Sequence, residues 1–171
     1  WQGYICASSF TNEQSTYPVL SLYYDSPALT FYHEKLDGTP LRKKVRLRTY
    51  GYNFSPSNTA FLEIKEKAFD KIKKIRVKLD PFDSQFLNPE LWKLNNDILN
   101  SDVMALNDFY LLRPKVQTFY LRKPYEAPQW PNLRITFDSM LMALHPYEVI
   151  NNDLFDFPSR QVISETMSIL E

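Results

Sequence analysis

Three segments of this chain alternate charged and apolar residues with a period of two, and that pattern leaves little but a β-sheet for them to form. In Lys43-Lys44-Val45-Arg46-Leu47-Arg48-Thr49-Tyr50, Lys44, Arg46 and Arg48 fall on one side of an extended strand and Val45 and Leu47 on the other, because successive side chains point to opposite faces. Phe61-Leu62-Glu63-Ile64-Lys65-Glu66-Lys67 repeats the pattern, with Glu63, Lys65 and Lys67 opposite Leu62 and Ile64. Lys74-Ile75-Arg76-Val77-Lys78-Leu79 does so a third time. Any half-buried sheet shows polar-out, apolar-in strands, and a solvated strand face is the plain reading of each one alone. Here the polar sides carry almost only cations, and consecutive strands repeat them. A face of Lys and Arg concentrated in this way fits a polyanion, most simply phosphate.

Composition narrows the class. With 171 residues the chain is long enough for one domain, residues 1–171, with a real core. Twenty basic and twenty acidic residues give a formal net charge of zero. A general nucleic-acid binder is basic overall, so the cations matter by location and nucleic acid is not expected as a partner. Acidic groups such as Glu63 and Asp138, set among the cations, would also repel a nucleic-acid backbone. One cysteine, Cys6, excludes a disulfide framework and a thiolate zinc site. Three glycines, Gly3, Gly38 and Gly51, cannot make a Gly-rich phosphate loop or a dinucleotide fingerprint. Any phosphate must therefore be gripped by side chains. The two histidines, His33 and His145, lie in no nucleophile–base arrangement. Catalysis would then be positioning plus electrostatics, as in phosphoryl transfer. No apolar run approaches the roughly 18–20 residues that span a bilayer.

Along the chain, Tyr17 to Tyr24 reads as an aromatic strand. Ser26-Pro27 reads as an N-cap and first helical position opening a short helix through about Lys35. Asp37-Gly38 is a turn, and Tyr52 to Thr59 is a polar loop. The spacing of Phe86, Leu91, Leu94, Ile98 and Leu99 predicts a helix over Asp83 to Asn100. Further strands are expected at Lys115 to Arg122, Leu133 to Asp138 and Gln161 to Glu171, with a proline-bearing loop from Glu126 to Asn132.

These motifs, taken in order, carry a resemblance. Ser21-Leu22-Tyr23-Tyr24-Asp25-Ser26-Pro27, Tyr32-His33-Glu34-Lys35-Leu36-Asp37-Gly38, Arg46-Leu47-Arg48-Thr49-Tyr50-Gly51 and Phe61-Leu62-Glu63-Ile64-Lys65 resemble the VTC domain. That is the polyphosphate polymerase domain of the vacuolar transporter chaperone complex and its bacterial relatives. Lys74-Ile75-Arg76, Tyr120-Leu121-Arg122, Arg134-Ile135-Thr136-Phe137-Asp138 and the closing Ser168-Ile169-Leu170-Glu171 extend the likeness from about Tyr17 to the last residue.

The resemblance implies an α+β fold of the triphosphate tunnel metalloenzyme type: an antiparallel β-barrel of about eight strands with peripheral helices, incomplete here at both ends. The family's opening Glu and Lys-Tyr strand is not found in Trp1 to Thr16, and the chain stops at Glu171, before the family's further basic segment. The implied reaction moves the γ-phosphate of ATP onto inorganic polyphosphate with Mn²⁺ or Mg²⁺. Arg46, Arg48, Lys65, Lys74, Arg122 and Arg134 match the family's phosphate-binding positions, with Arg46, Arg48 and Lys65 expected as catalytic; Lys44 and Arg76, on the same cationic faces, are expected to bind substrate with the rest. Glu171 matches the metal-binding glutamate, with Glu63 as an assistant to the metal or an orienter of Lys65. The resemblance further implies a cytoplasmic location, with the cytoplasmic face of a membrane and a membrane-associated partner as one setting. A non-catalytic polyphosphate-binding subunit and a triphosphate hydrolase of the same superfamily stay open beside the polymerase.

Overall fold

The computed structural model describes residues 6–7, 16–95, 101–127, 129–148, 162 and 167–170. The three charged segments form strands β3 (Leu41–Thr49), β4 (Ala60–Ala68) and β5 (Lys71–Leu79). With β1 (Cys6–Ala7), β2 (Tyr17–Asp25), β6 (Arg113–Ala127), β7 (Trp130–Leu144) and β8 (Ile169–Leu170) they make one antiparallel sheet. Its order is β5-β4-β3-β2-β6-β7-β8, with β1 pairing separately onto β6. Each link is antiparallel. Among the described residues the outer strands β5 and β8 do not pair, so the expected barrel stands as an open sheet. Nevertheless, residues from both β5 and β8 line one cavity, so the sheet curves round it.

One face of the sheet is packed. Val45, Leu47, Leu62, Ile64 and Leu79 are buried with Phe82, Phe86 and Trp92 from the segment after β5, and with Phe31 and Val103 from two helices. Those helices are α1 (Thr30–Leu36) and α2 (Ser101–Tyr110). A second cluster of Leu20, Phe119, Met142 and Leu144 continues this layer under β6 and β7. Alternation explains the division: burying one apolar side of each strand forces the other side of the same strands outward.

Three expectations are corrected. Helix α1 begins at Thr30, not beside Ser26, with Leu29 at its N-cap position in the left-handed region; Ser26 Oγ still accepts the Thr30 N–H, at 3.0 Å, and Asp25 accepts the next amides. Asp25 Oδ1 accepts from the Ser26 and Phe31 N–H groups at 2.7 and 2.9 Å, and Oδ2 from the Tyr32 N–H at 3.0 Å. The two residues therefore share the orphan donors of the first turn, the hydroxyl taking Thr30 and the carboxylate Phe31 and Tyr32. Over its described part, residues 83–95, the helix expected over 83–100 is instead two 3₁₀ segments, Ser84–Leu87 and Pro89–Asn95, and residues 96–100 lie outside the described residues. Asn88 between them is extended, at φ −110 and ψ 109, because the residue before a proline is pushed out of the helical region. The α-helix of this stretch comes later, at Ser101–Tyr110.

The proline loop expected at 126–132 is mostly strand, since β6 reaches Ala127 and β7 starts at Trp130. The ladder jumps from Glu126↔Arg134 to Ala127↔Trp130, so residues 131–133 lie between paired positions and Pro131 needs no partner there. Of the strand expected at 161–171, Ile169–Leu170 pairs with β7; most of the remainder, Glu171 included, lies outside the described residues.

Candidate anion-binding cavity

The unpacked face carries a cavity of about 790 Å³. Its walls hold seven basic side chains, Lys44, Arg46, Arg48, Lys65, Lys74, Arg76 and Arg122, against two carboxylates, Glu63 and Asp138. Register brings them together in cross-strand rows. Lys44 lies opposite Lys65, and Lys65 opposite Lys74. Two residues along, Arg46 pairs with Glu63, and Glu63 with Arg76. The next row is Arg48, Phe61 and Lys78. A strand rises about 3.4 Å per residue, so rows stand about 6.8 Å apart along the strands.

The rows differ in compensation. Arg46 Nε donates to Glu63 Oε2 at 2.7 Å and its Nη1 to the Tyr23 hydroxyl at 3.3 Å. Arg76 Nε stands 3.3 Å from Glu63 Oε1, and its guanidinium lies 3.8 Å over the Phe61 ring. One carboxylate thus fixes two guanidinium groups. Arg48, buried at 7% exposure, is held by hydroxyls instead. Its Nε donates to Ser21 Oγ and its Nη2 to Tyr120 Oη, each at 3.1 Å. On the other wall Arg122 forms a two-pronged pair with Asp138, at 2.7 and 2.6 Å. Among the described residues the lysine row has no such ion pairs: no carboxylate pairs with Lys44, Lys65 or Lys74. Lys44 Nζ lies 5.3 Å from the centre of the Tyr23 ring. Like charges directly opposite one another destabilise a sheet, so this row is built at a cost to the empty protein.

The tyrosines report the resulting potential. Burial by itself would raise the Tyr23 phenol, yet Arg46, Lys44 and Arg48 together bring it below its usual value. Tyr120 is pushed up to about 12 by burial, with Arg48 and Arg122 pulling the other way. Burial likewise disfavours the Arg46 charge, but Tyr23 and Glu63 more than restore it, so its guanidinium stays charged.

Local irregularity shapes the far wall. Between the Phe119↔Met142 and Leu121↔Ser139 pairs, β7 has one residue more than β6. Met140 takes a left-handed φ of 54 there. This bulge lets Asp138 and Leu141, three apart, both face the cavity.

Of the residues expected from the sequence, Lys44, Arg46, Arg48, Glu63, Lys65, Lys74, Arg76 and Arg122 come together on this cavity. Arg134 does not line it; it is exposed, and its Nη2 donates to the Tyr17 hydroxyl at 3.2 Å. Glu171 lies outside the described residues. Nothing in the sequence singles out Ser21, Tyr23 or Tyr120, whose hydroxyls hold Arg46 and Arg48. Their positions, Ser21 and Tyr23 on the neighbouring β2 and Tyr120 one strand further on β6, depend on a pairing that one strand's alternation does not reveal.

The two described carboxylates do not fit a divalent cation. Each of the four oxygens of Glu63 and Asp138 already faces a guanidinium nitrogen. No group of three or more His, Cys, Asp or Glu side chains suited to a metal occurs among the described residues. What the wall can do is hold a chain of tetrahedral anions, with fixed guanidinium forks and free ammonium groups sharing the work.

Two comparisons bear on identity. No curated protein matches the chain. The family model of the VTC domain matches residues 3–171, and the chain therefore belongs to the VTC domain family.

Proposed function

We propose that this protein is a polyphosphate polymerase domain that transfers the γ-phosphate of ATP to inorganic polyphosphate within the cationic cavity. The VTC domain family is associated with that activity. The observation that carries the reading is the lysine row: three ammonium groups in direct register, none paired with a carboxylate among the described residues, beside guanidinium groups already fixed in direction. A packed or solvated structural role would not call for that arrangement, whereas a linear polyanion neutralises all three lysines at once.

In this reading the ATP triphosphate lies along the rows, with Lys44, Lys65 and Lys74 near the donor's inner phosphates. Arg46, Arg48 and Arg76 surround the phosphorus that is transferred. Arg122, held by Asp138, takes the acceptor. A terminal oxygen of the acceptor forms a bond to the γ-phosphorus, the bond to the bridging oxygen of ADP breaks, and ADP departs with that electron pair. Charge spreads over the transferring oxygens in the transition state, where pre-aimed guanidinium groups stabilise it without reorganising. Holding donor and acceptor end to end supplies about 7–11 kcal/mol of the barrier. Mn²⁺ or Mg²⁺ belongs to the proposal through Glu171 alone and would align the terminal phosphate; the steps above use only the cavity wall. The proposal sets the reaction in the cytoplasm, with the cytoplasmic face of a membrane and a membrane-associated partner as one setting. No helix among the described residues is long and apolar enough to cross a membrane.

The test is incubation with ATP, Mn²⁺ and a short polyphosphate primer, following ADP and polymer length together. Polymer growth matched by ADP is the expected result. Orthophosphate without growth means a triphosphate hydrolase. Tight polyphosphate binding with neither product means a binding subunit, a reading favoured by one observation: both described carboxylates of the cavity are committed to arginines.

A further inference from the structure

A second cavity, of about 560 Å³, adjoins the first at the end of the sheet crossed by α1. The two share Tyr23, Lys44, Lys65 and Val116, so the lysine row is their common border. Their chemistry differs. The second is floored by Leu29, Phe31 and Tyr32, with Lys35, Arg42 and Lys67 among the cations at its edge. Its sole carboxylate, Asp25, is spent on the amides that open α1. Tyr32 keeps about half of its surface free, at 53% exposure. An apolar, aromatic chamber that opens onto a phosphate-binding row suits a ligand with a flat apolar body and a polyanionic tail. Its volume lies within the usual range for such sites.

We infer that this second cavity seats the nucleoside of the phosphate donor, with Tyr32 as the platform for the base and Lys44 and Lys65 receiving the first phosphates beyond the ribose. The inference rests on the polymerase reading, since it needs a nucleotide donor. It assigns a direction to the cavity: donor from the α1 end, acceptor from the Arg122 end. The second cavity's polar lining, Asp25 aside, is cationic or phenolic and reads no base edge in particular. Stacking then holds the base, and stacking tolerates any base.

Calorimetry on the whole protein with two probes, ATP and inorganic tripolyphosphate, tests this. Tyr32→Ala weakens ATP binding about tenfold, at the low end of what losing an aromatic platform costs a base. It leaves tripolyphosphate binding unchanged. Tyr32→Phe retains ATP affinity. Leu29→Asn, chosen because Leu29 sits at φ 57 and asparagine tolerates that conformation, weakens ATP alone, by a smaller factor. ATP binding untouched by both Tyr32→Ala and Leu29→Asn overturns the inference and leaves the polymerase reading standing. Equal loss for ATP and tripolyphosphate also overturns it, making this chamber part of the phosphate site. If wild-type protein binds neither probe, the polymerase reading falls and takes the inference with it.

Discussion

The two faces of one sheet have opposite energetics. On the helix side, Val45, Leu47, Leu62 and Ile64 are buried against Trp92 and Phe86, and every methylene removed from water favours folding. On the cavity side the very next residues, Lys44, Arg46, Glu63 and Lys65, include like charges held in register. Folding is driven by one face, and the other is carried along by the backbone alternation. The comparison teaches that a strand can encode stability and binding independently, one in each parity. Substitutions can therefore be sorted by parity before they are made.

The largest effect should come from the packed side. Trp92 is fully buried, stands edge-on to Tyr24 at 5.3 Å, and donates its indole N–H to the Phe86 carbonyl at 3.0 Å. Trp92→Ala should cost about 3–5 kcal/mol in denaturant unfolding. A loss under about 1 kcal/mol would show that the helix layer does not hold this sheet together. On the open side, Arg46→Ala with Arg48→Ala should act on ligand instead. Charge-assisted contacts contribute about 1.5–3 kcal/mol each, so tripolyphosphate affinity should fall at least about a hundredfold. Lys43→Ala, on the helix side beside the Tyr110 ring, should leave that affinity unchanged. Equal losses for the two variants would break the division by parity.

Tyr120 tests whether the cavity wall contributes to stability at all. Its folded pKa, about 12, lies above the ordinary phenol value of 10.0. A raised pKa means that its share of stability is fully present below pH 10, where the phenol is neutral in both states. That share is lost as pH rises from 10 to about 12, because the unfolded chain ionises first. The two-unit difference corresponds to about 2.7 kcal/mol. Comparing pH 9 with pH 12, wild type should lose more stability than Tyr120→Phe by an amount of that order. Parallel losses in the two proteins would mean that the phenol ionises as freely folded as unfolded.

Much of this division was legible in the sequence, and the reason is local. Period-two alternation is a property of consecutive residues, so β3, β4 and β5 and their cationic parity could be read directly. The ordered motifs identified the family and brought Arg122 to the same cavity. What failed was decided at a distance. Arg134 shares the parity of Asp138, but it sits four residues earlier in β7, and its guanidinium meets Tyr17 outside the cavity. Ser26 does accept an amide at the start of α1, but the Asp25 carboxylate adds two more, six and seven residues on, which local spacing does not show. The helix expected over 83–100 had a plausible apolar face, but Asn88-Pro89 breaks it before tertiary packing enters. The roles of Ser21, Tyr23 and Tyr120 depend on β2 lying between β3 and β6, a placement that strand patterns do not specify.

The smallest expected effect is the sharpest test of the comparison, because its sign is opposite to the usual one. Most substitutions destabilise. Lys65 is exposed, at the centre of the lysine row, with Lys44 on one side and Lys74 on the other. Lys65→Gln keeps a long polar side chain while removing the central charge. It should stabilise the free protein by about 0.2–1 kcal/mol, the scale of a cross-strand charge pair. The gain should shrink at high salt, where exposed charges are screened over a few ångströms. With tripolyphosphate present the order should reverse, since wild type then has an anion to neutralise three ammonium groups and the variant only two. Melting curves of both proteins at low and high salt, with and without tripolyphosphate, give all four comparisons. A variant less stable than wild type at low salt without ligand would mean that the three lysines do not strain the empty sheet, and the lysine row would lose its claim to be a site waiting for phosphate.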